Sequence, residues 1–225
     1  MSLILVTGAN RGIGLEFTRQ YLSRGERVIA CCRNPDQSSE LQSLACPELD
    51  IISLDVSDEA SITSLPGQLG GQKITVFINN AGVYGSKQAL DQIDLSEWIE
   101  VFRVNTMAPL LLTRVLLPYM DAGARLAFLS SKMGSIAENT SGSTYVYRSS
   151  KTALNQVVRS LSHDLAHQGL PVVVLHPGWV KTDMGGPNAL IDTQTSVKGL
   201  ISVIDNLDES TSGHFFNYDG AEIPW

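Results

Sequence analysis

Residues 3–17 read LILVTGANRGIGLEF, an apolar run that stops at a glycine-bearing turn and resumes with a different period. A short run of Leu, Ile and Val without polar alternation reads as a strand covered on both faces. From Ile13 to Arg24 the apolar residues recur at the spacing of an amphipathic helix. Gly8, Gly12 and Gly14 lie between the two. Small residues there let the backbone bend sharply, and the amide N–H groups at the helix start are placed to meet an anion.

The same succession continues outward. Apolar runs recur as RVIACC, DIISLDV, ITVFIN, RLAFLS, PVVVLHP and GHFFNYD, making seven with the first. Helical spacing covers 38–44 weakly, 59–69 after the capping signal DVSD, and 96–120. It also covers 144–167, whose stripe is Tyr147, Lys151, Leu154, Val158, Leu161 and Leu165. Strand alternating with helix predicts an α/β fold, a doubly wound seven-stranded parallel sheet of Rossmann type with helices on both faces. No repeat, charge block or long linker divides the chain, so residues 1–225 are expected to form one domain. The most irregular stretches, KMGSIAENTSGST and GWVKTDMGGPNALIDTQTS, each follow the carboxyl end of a strand, where open α/β sheets place ligands.

A net charge of -7 sets the long-range field against nucleic acid and anionic lipid, so neither is expected as a partner. Three cysteines form no paired framework, and Cys31 and Cys32 read as strand core. The opening LILV has no basic segment before it and is too short for a signal peptide, and no stretch approaches the roughly 20 apolar residues of a membrane span. These features lead to the expectation of a cytoplasmic protein. His163, His167, His176 and His214 show no metal-ligand spacing, so no metal is expected.

The glycine spacing is GxxxGxG, not the GxGxxG of the general dinucleotide fingerprint, yet its strand-turn-helix context is that of a pyrophosphate site. A site for NAD has a carboxylate at the end of the second strand. Here Cys32 stands in that place, Arg33 follows it, and Arg11 lies in the glycine turn. Two guanidiniums converging on the ribose edge would suit a 2'-phosphate, which makes NADP(H) the expected cofactor over NAD(H).

In YVYRSSK, residues 145–151, Tyr147 and Lys151 are four apart and share a helix face, whereas Tyr145 would meet only Ser149. Tyr147 is therefore the candidate acid. A phenol has a pKa of about 10, and an ammonium about 4 Å away at an effective dielectric near 20 contributes roughly 4 kcal/mol, or about three pKa units before desolvation. The expectation is a phenol brought close to neutrality, where acid-base catalysis works best.

TGANRGIG, Asp55-Val56, NNAG at 79–82, Asn105 in RVNT, LSSKMG, YRSSK and HPGWVKTDMGG occur in that order. Together they make the whole chain resemble the short-chain dehydrogenase/reductase family, within it the C-factor and Sniffer-type carbonyl reductases. The resemblance implies that Tyr147 protonates a carbonyl oxygen while a nicotinamide delivers hydride. It implies that Lys151 tunes Tyr147 and binds the nicotinamide ribose, that Ser131 donates a hydrogen bond to the substrate oxygen, and that Asn105 holds a water in a proton relay. It likewise implies cofactor contacts from Gly8, Asn10, Arg11, Gly12, Ile13 and Gly14 in the glycine turn. Further contacts follow from Arg33, from Asp55 and Val56, from Asn80, Ala81 and Gly82, and from Pro177, Gly178, Val180 and Thr182. Ser131 precedes Tyr147 by 16 positions, a few more than the family spacing, so AENTSGST is read as a small insertion and Ser130 as a second candidate.

The implied activity is NADPH-dependent reduction of an aldehyde or ketone. The alternative is a signalling or regulatory protein that only binds the nucleotide, as C-factor relatives are associated with signalling. Ala189, Leu190 and Ile191 inside 185–195 suggest a modest, partly apolar substrate pocket. Residues 96–120 are apolar over more than one face, which leads to the expectation of a homodimer or homotetramer.

Overall fold

Each of the seven apolar runs forms a strand in the computed structural model of the chain, which describes residues 2–86 and 90–225. The strands are β1 (Leu3–Thr7), β2 (Arg27–Cys32), β3 (Leu49–Ser53), β4 (Ile74–Asn79), β5 (Met120–Leu129), β6 (Val172–His176) and β7 (Phe215–Asn217). They make one sheet in the order β3-β2-β1-β4-β5-β6-β7, with every pairing between these strands parallel.

Successive strand residues point to opposite faces. Leu3 and Leu5 therefore enter one core layer and Ile4 and Val6 the other, as Val172 and Val174 divide from Val173 and Leu175. Both layers are apolar, which is why the strands read as unbroken hydrophobic runs. The first layer is covered by α3 (Glu59–Gln68), α5 (Ala108–Leu116) and α6 (Tyr145–Ala166). The second is covered by α1 (Gly12–Ser23), α7 (Thr193–Asp205) and Leu41 of the four-residue α2 (Ser39–Gln42). The Asp58 carboxylate caps α3, accepting from the Ala60 and Ser61 amides.

Two expectations need correction. Residues 96–120 do not form one regular helix: α4 (Leu95–Phe102) and α5 are joined by a π-helical segment, Arg103–Met107, and α5 gives way to a 3-10 turn, Leu117–Tyr119. Prolines explain both breaks. Pro109 and Pro118 cannot donate to the helix ladder, and just before Pro109 the Ala108 amide reaches back five residues to the Arg103 carbonyl. The second correction is α7, whose first four residues fall in the stretch read from the sequence as irregular and whose remainder is assigned to no helix from the sequence. Asp192 caps it by accepting from the Thr195 amide at 2.7 Å, and Val197, Leu200, Ile201 and Ile204 bury its inner face.

The apolar excess of residues 96–120 is left at the surface, where Ile99 is 47% and Met107 51% exposed. At the opposite end of the chain, residues 221–223 fold back along the outer edge of β7. The Asn217 amide donates to Ala221 O and the Ile223 amide to Phe215 O, both at 2.8 Å, and Trp225 stacks on Phe215. Among the described residues no helix is long and apolar enough to cross a membrane. The strand order reverses between β1 and β4, so the carboxyl ends of these two strands open a crevice, the place where such sheets bind ligands.

Candidate active site

At the end of β1 the chain turns through Gly8, with φ +66°, a left-handed conformation natural only to glycine. A Cβ on Gly8 would lie 3.0 Å from the Ala81 Cα, and one on Gly14 would run into the Gly8 carbonyl and the Asn80 amide. Asn80 locks this packing. Its Nδ2 donates to Thr7 O at 2.9 Å and to Gly8 O at 3.1 Å, while Thr7 Oγ1 accepts from the Asn80 and Ala81 amides. Helix α1 starts at Gly12 with no side-chain cap and no acid in its first turn. Its leading N–H groups are thus presented to an anion.

At the end of β2, Cys32 is buried and offers no carboxylate. Arg33 lies close enough to Asp55 to help depress its carboxyl pKa. Burial alone would raise that pKa, and the Ser57 hydroxyl and amide, at 2.7 and 2.8 Å, outweigh it. Val56 is half-buried beside it. Arg11 has a carboxylate partner that the expectation of two guanidiniums on the ribose edge does not include. Its guanidinium pairs at 2.9 Å with Asp183 in the segment after β6, a carboxylate 172 positions away that local sequence cannot point to. The same segment touches the glycine turn, since a Cβ on Gly12 would sit 3.3 Å from the Thr182 methyl. Ser196 Oγ donates to Pro177 O at 2.6 Å, Val180 forms a bridge with Ile191, and Gly178, at φ +83°, lies against Ile191 and Tyr218.

The end of β5 separates the two serines. Ser130 Oγ donates to Asn155 Oδ1 at 2.7 Å in the core. Ser131 Oγ accepts from the Met133 amide at 3.1 Å and is near enough to the Tyr147 phenol to lower its pKa. The 3-10 turn Lys132–Gly134 presses on α6, with the Gly134 carbonyl accepting from Thr152 Oγ1 and Asn155 Nδ2. A Cβ on Gly134 would come within 2.9 Å of the Lys151 backbone.

Tyr147 and Lys151 face the sheet on α6 and both are buried, at 7% and 4% exposure. The Tyr84 ring packs on Tyr147 with centroids 4.4 Å apart. Tyr84, two residues beyond NNAG, has no periodic signal that marks it in the sequence. The Lys151 ammonium donates to Leu129 O at 2.9 Å and stands 5.9 Å from the Tyr147 ring centre. The expectation of a phenol near neutrality is corrected here. Burial dominates both groups, pushing Tyr147 up to about 12 against the lowering influence of the nearby Ser131 hydroxyl, and Lys151 down to about 8. The ammonium is aimed at a carbonyl, not at the phenol oxygen, and the phenol keeps its proton.

Asn105 sits in the π-helical segment and is 1% exposed. Its Oδ1 accepts from the Val83 amide at 2.9 Å, and its Nδ2 donates to Val83 O and Ser150 Oγ. The side chain thus clamps the segment after β4 to α6. Asn105 Oδ1 and Lys151 Nζ converge on Gly82, 3.2 and 3.4 Å from where a Cβ would be. Gly8, Ala81, Gly82 and Lys151 therefore form one continuous wall, with the glycine turn at one end and the acid's helix at the other.

Over residues 2–190 the chain matches the short chain dehydrogenase family. It belongs to that family of oxidoreductases. C-signal of Myxococcus xanthus is 49% identical over 154 residues, which cover 68% of this chain and 93% of that protein. An NADPH-bound carbonyl reductase from chicken fatty liver superposes with a TM-score of 0.92 at 38% identity, covering 100% of both chains. The carbonyl reductase Sniffer of D. melanogaster gives 0.93 at 34%, covering 100% of this chain and 99% of that one.

Proposed function

We propose that the protein reduces an aldehyde or ketone to an alcohol with NADPH. The observation that carries this reading is the buried Tyr147 phenol with Ser131 near it and the buried Lys151 one turn along, at the end of the wall that begins in the glycine turn.

The residues present fit a dinucleotide: the cradle at Gly8 and Gly14 would be filled by any side chain, the α1 amides are uncapped, and no carboxylate at Cys32 opposes a 2'-phosphate. Arg33 would hold that phosphate, Asp55 and Val56 the adenine, Asn80 to Gly82 the middle of the molecule, and Pro177 to Thr182 its nicotinamide end. Asn10, Arg11 and Ile13 would line the turn itself. The bound nucleotide supplies hydride to the carbonyl carbon. Ser131 donates a hydrogen bond to the carbonyl oxygen and Tyr147 gives that oxygen its proton. Lys151 stabilises the phenolate left behind, an interaction that exists only once the proton has moved. Asn105 fixes the segment that faces Lys151 and supports the water through which the proton is restored.

A signalling or regulatory protein that binds the nucleotide without turning over is the second reading, favoured by the similarity to C-signal. A purely binding site gains nothing from a buried acid set beside Ser131 and Lys151. Purified protein with NADPH and a panel of aldehydes and ketones tests the choice. Reduction is expected, with Tyr147→Phe losing about 100-fold to 10,000-fold in turnover while NADPH affinity holds. Undiminished NADPH affinity with no oxidation by any carbonyl would overturn the enzymatic reading.

A further inference from the structure

We propose that the cleft behind Gly178 receives the substituent of the carbonyl substrate, and that Glu138 determines specificity there by masking Lys132 and closing the cleft to anionic carbonyl compounds. The inference rests on the carbonyl-reduction reading.

The cleft has a volume of about 360 Å³ and is walled by Trp179, Ile191, Tyr218, Ile223 and Pro224, a lining suited to a neutral aryl or alkyl group. It adjoins the proposed site, since Gly178 lines it directly and Lys132 follows Ser131. Among the described residues that line it, Lys132 is the one standing cation, set against the carboxylates of Glu138 and Glu222. His176 adds no charge at neutral pH, because burial, reinforced by Lys132, pushes its pKa down to about 4. A carboxylate entering this cleft meets a surplus of negative charge in a molecule whose net charge is already -7.

Lys132 is not free to compensate. Its Nζ pairs with Glu138 Oε2 at 2.6 Å. The two side chains are 54% and 33% exposed, yet the backbone that carries Glu138 is fixed across the fold. The Glu138 amide donates to Ser135 Oγ at 3.1 Å, Ser135 Oγ donates to Pro224 O at 2.6 Å, and the Ala137 amide donates to Trp225 O at 3.0 Å. A substrate carboxylate would have to displace a partner already in place and leave it in a walled cleft, where specificity by an opposing charge is effective.

The test compares para-carboxybenzaldehyde with its methyl ester, each with NADPH, by the ratio of their kcat/KM values. Wild-type protein should favour the ester. Glu138→Gln, which preserves shape and frees Lys132, should raise the acid-to-ester ratio by about tenfold, the equivalent of about 1.4 kcal/mol. Adding Lys132→Gln should abolish that gain. A ratio unchanged in Glu138→Gln, or a wild-type protein that reduces the acid as readily as the ester, would overturn the inference. Calorimetric binding of para-toluate separates this failure from that of the functional reading, because it needs no turnover. Tighter binding by about tenfold in Glu138→Gln supports the masking role whether or not any carbonyl is reduced, and equal binding refutes it.

Discussion

Replacing Lys151 by methionine should abolish turnover and at the same time make the protein more stable at neutral pH. Burial takes the Lys151 amine from 10.5 to about 8. At about 1.4 kcal/mol per pKa unit, its charged form costs the folded state about 3 kcal/mol relative to the neutral amine. At pH 7 that cost is almost wholly present. Methionine keeps the reach of the chain without the charge but leaves Leu129 O without its donor, a loss of about 1–2 kcal/mol. The net gain is about 1–2 kcal/mol, a rise in Tm of roughly 2–6 °C for a chain of this size. Between about pH 8 and 10.5 the unfolded wild-type chain binds more protons than the folded one, so wild-type stability climbs with pH through that window. By about pH 9.5 some 2 kcal/mol of the deficit is recovered and the advantage of the variant disappears. Thermal and denaturant unfolding of both proteins across this range, with turnover measured alongside, checks the reasoning. A variant no more stable at pH 7, or an advantage that does not shrink as pH rises, would refute it.

Other outcomes follow from the same geometry. Arg33→Ala should raise the Kd for NADPH by about tenfold to 100-fold, the worth of a charge-assisted phosphate contact, and change NADH binding little; equal losses for both nucleotides would remove Arg33 from the 2'-phosphate. Thr144, at φ 53°, holds a left-handed conformation just before α6. Thr144→Gly should add about 0.5–1 kcal/mol of stability in thermal unfolding, and a lower Tm would contradict the strain. Ile99, exposed on α4 beside Leu95, should support assembly into a homodimer or homotetramer. Size-exclusion chromatography with light scattering should show Ile99→Glu shifted toward monomer, and a monomeric wild type would dispose of the expectation.

Much of the architecture was legible because a parallel sheet covered on both faces writes each strand as an unbroken apolar run. Helix α7 was not: Val197, Leu200, Ile201 and Ile204 do recur at helical spacing, but its first turn falls in the polar stretch that ends at Ser196, and Gly199 stands inside it. Gly199 is there for tertiary reasons, as a Cβ would strike the Tyr218 carbonyl. Tyr147 and Lys151 were visible from their spacing along one helix, but the carbonyl that captures the ammonium belongs to β5, and burial is a property of the assembled layers. The adjacent serines illustrate how far local reasoning reaches. Ser130 and Ser131 follow the last residue of β5 and take different partners, yet which of them meets Tyr147 depends on where α6 crosses the sheet. Arg11 shows the opposite limit, because its partner Asp183 lies on a distant segment.

The fold-back of residues 221–223 has a consequence for how molecules of this protein can meet. Main-chain groups on a bare sheet border can template a neighbour's strand, the first step toward aggregation. Here the β7 border is already occupied by residues 221–223 of the same chain. The opposite border, β3, is five residues long and carries Asp50 paired to Arg27. Neither border offers a long apolar template, so durable self-association is left to side chains on the helices.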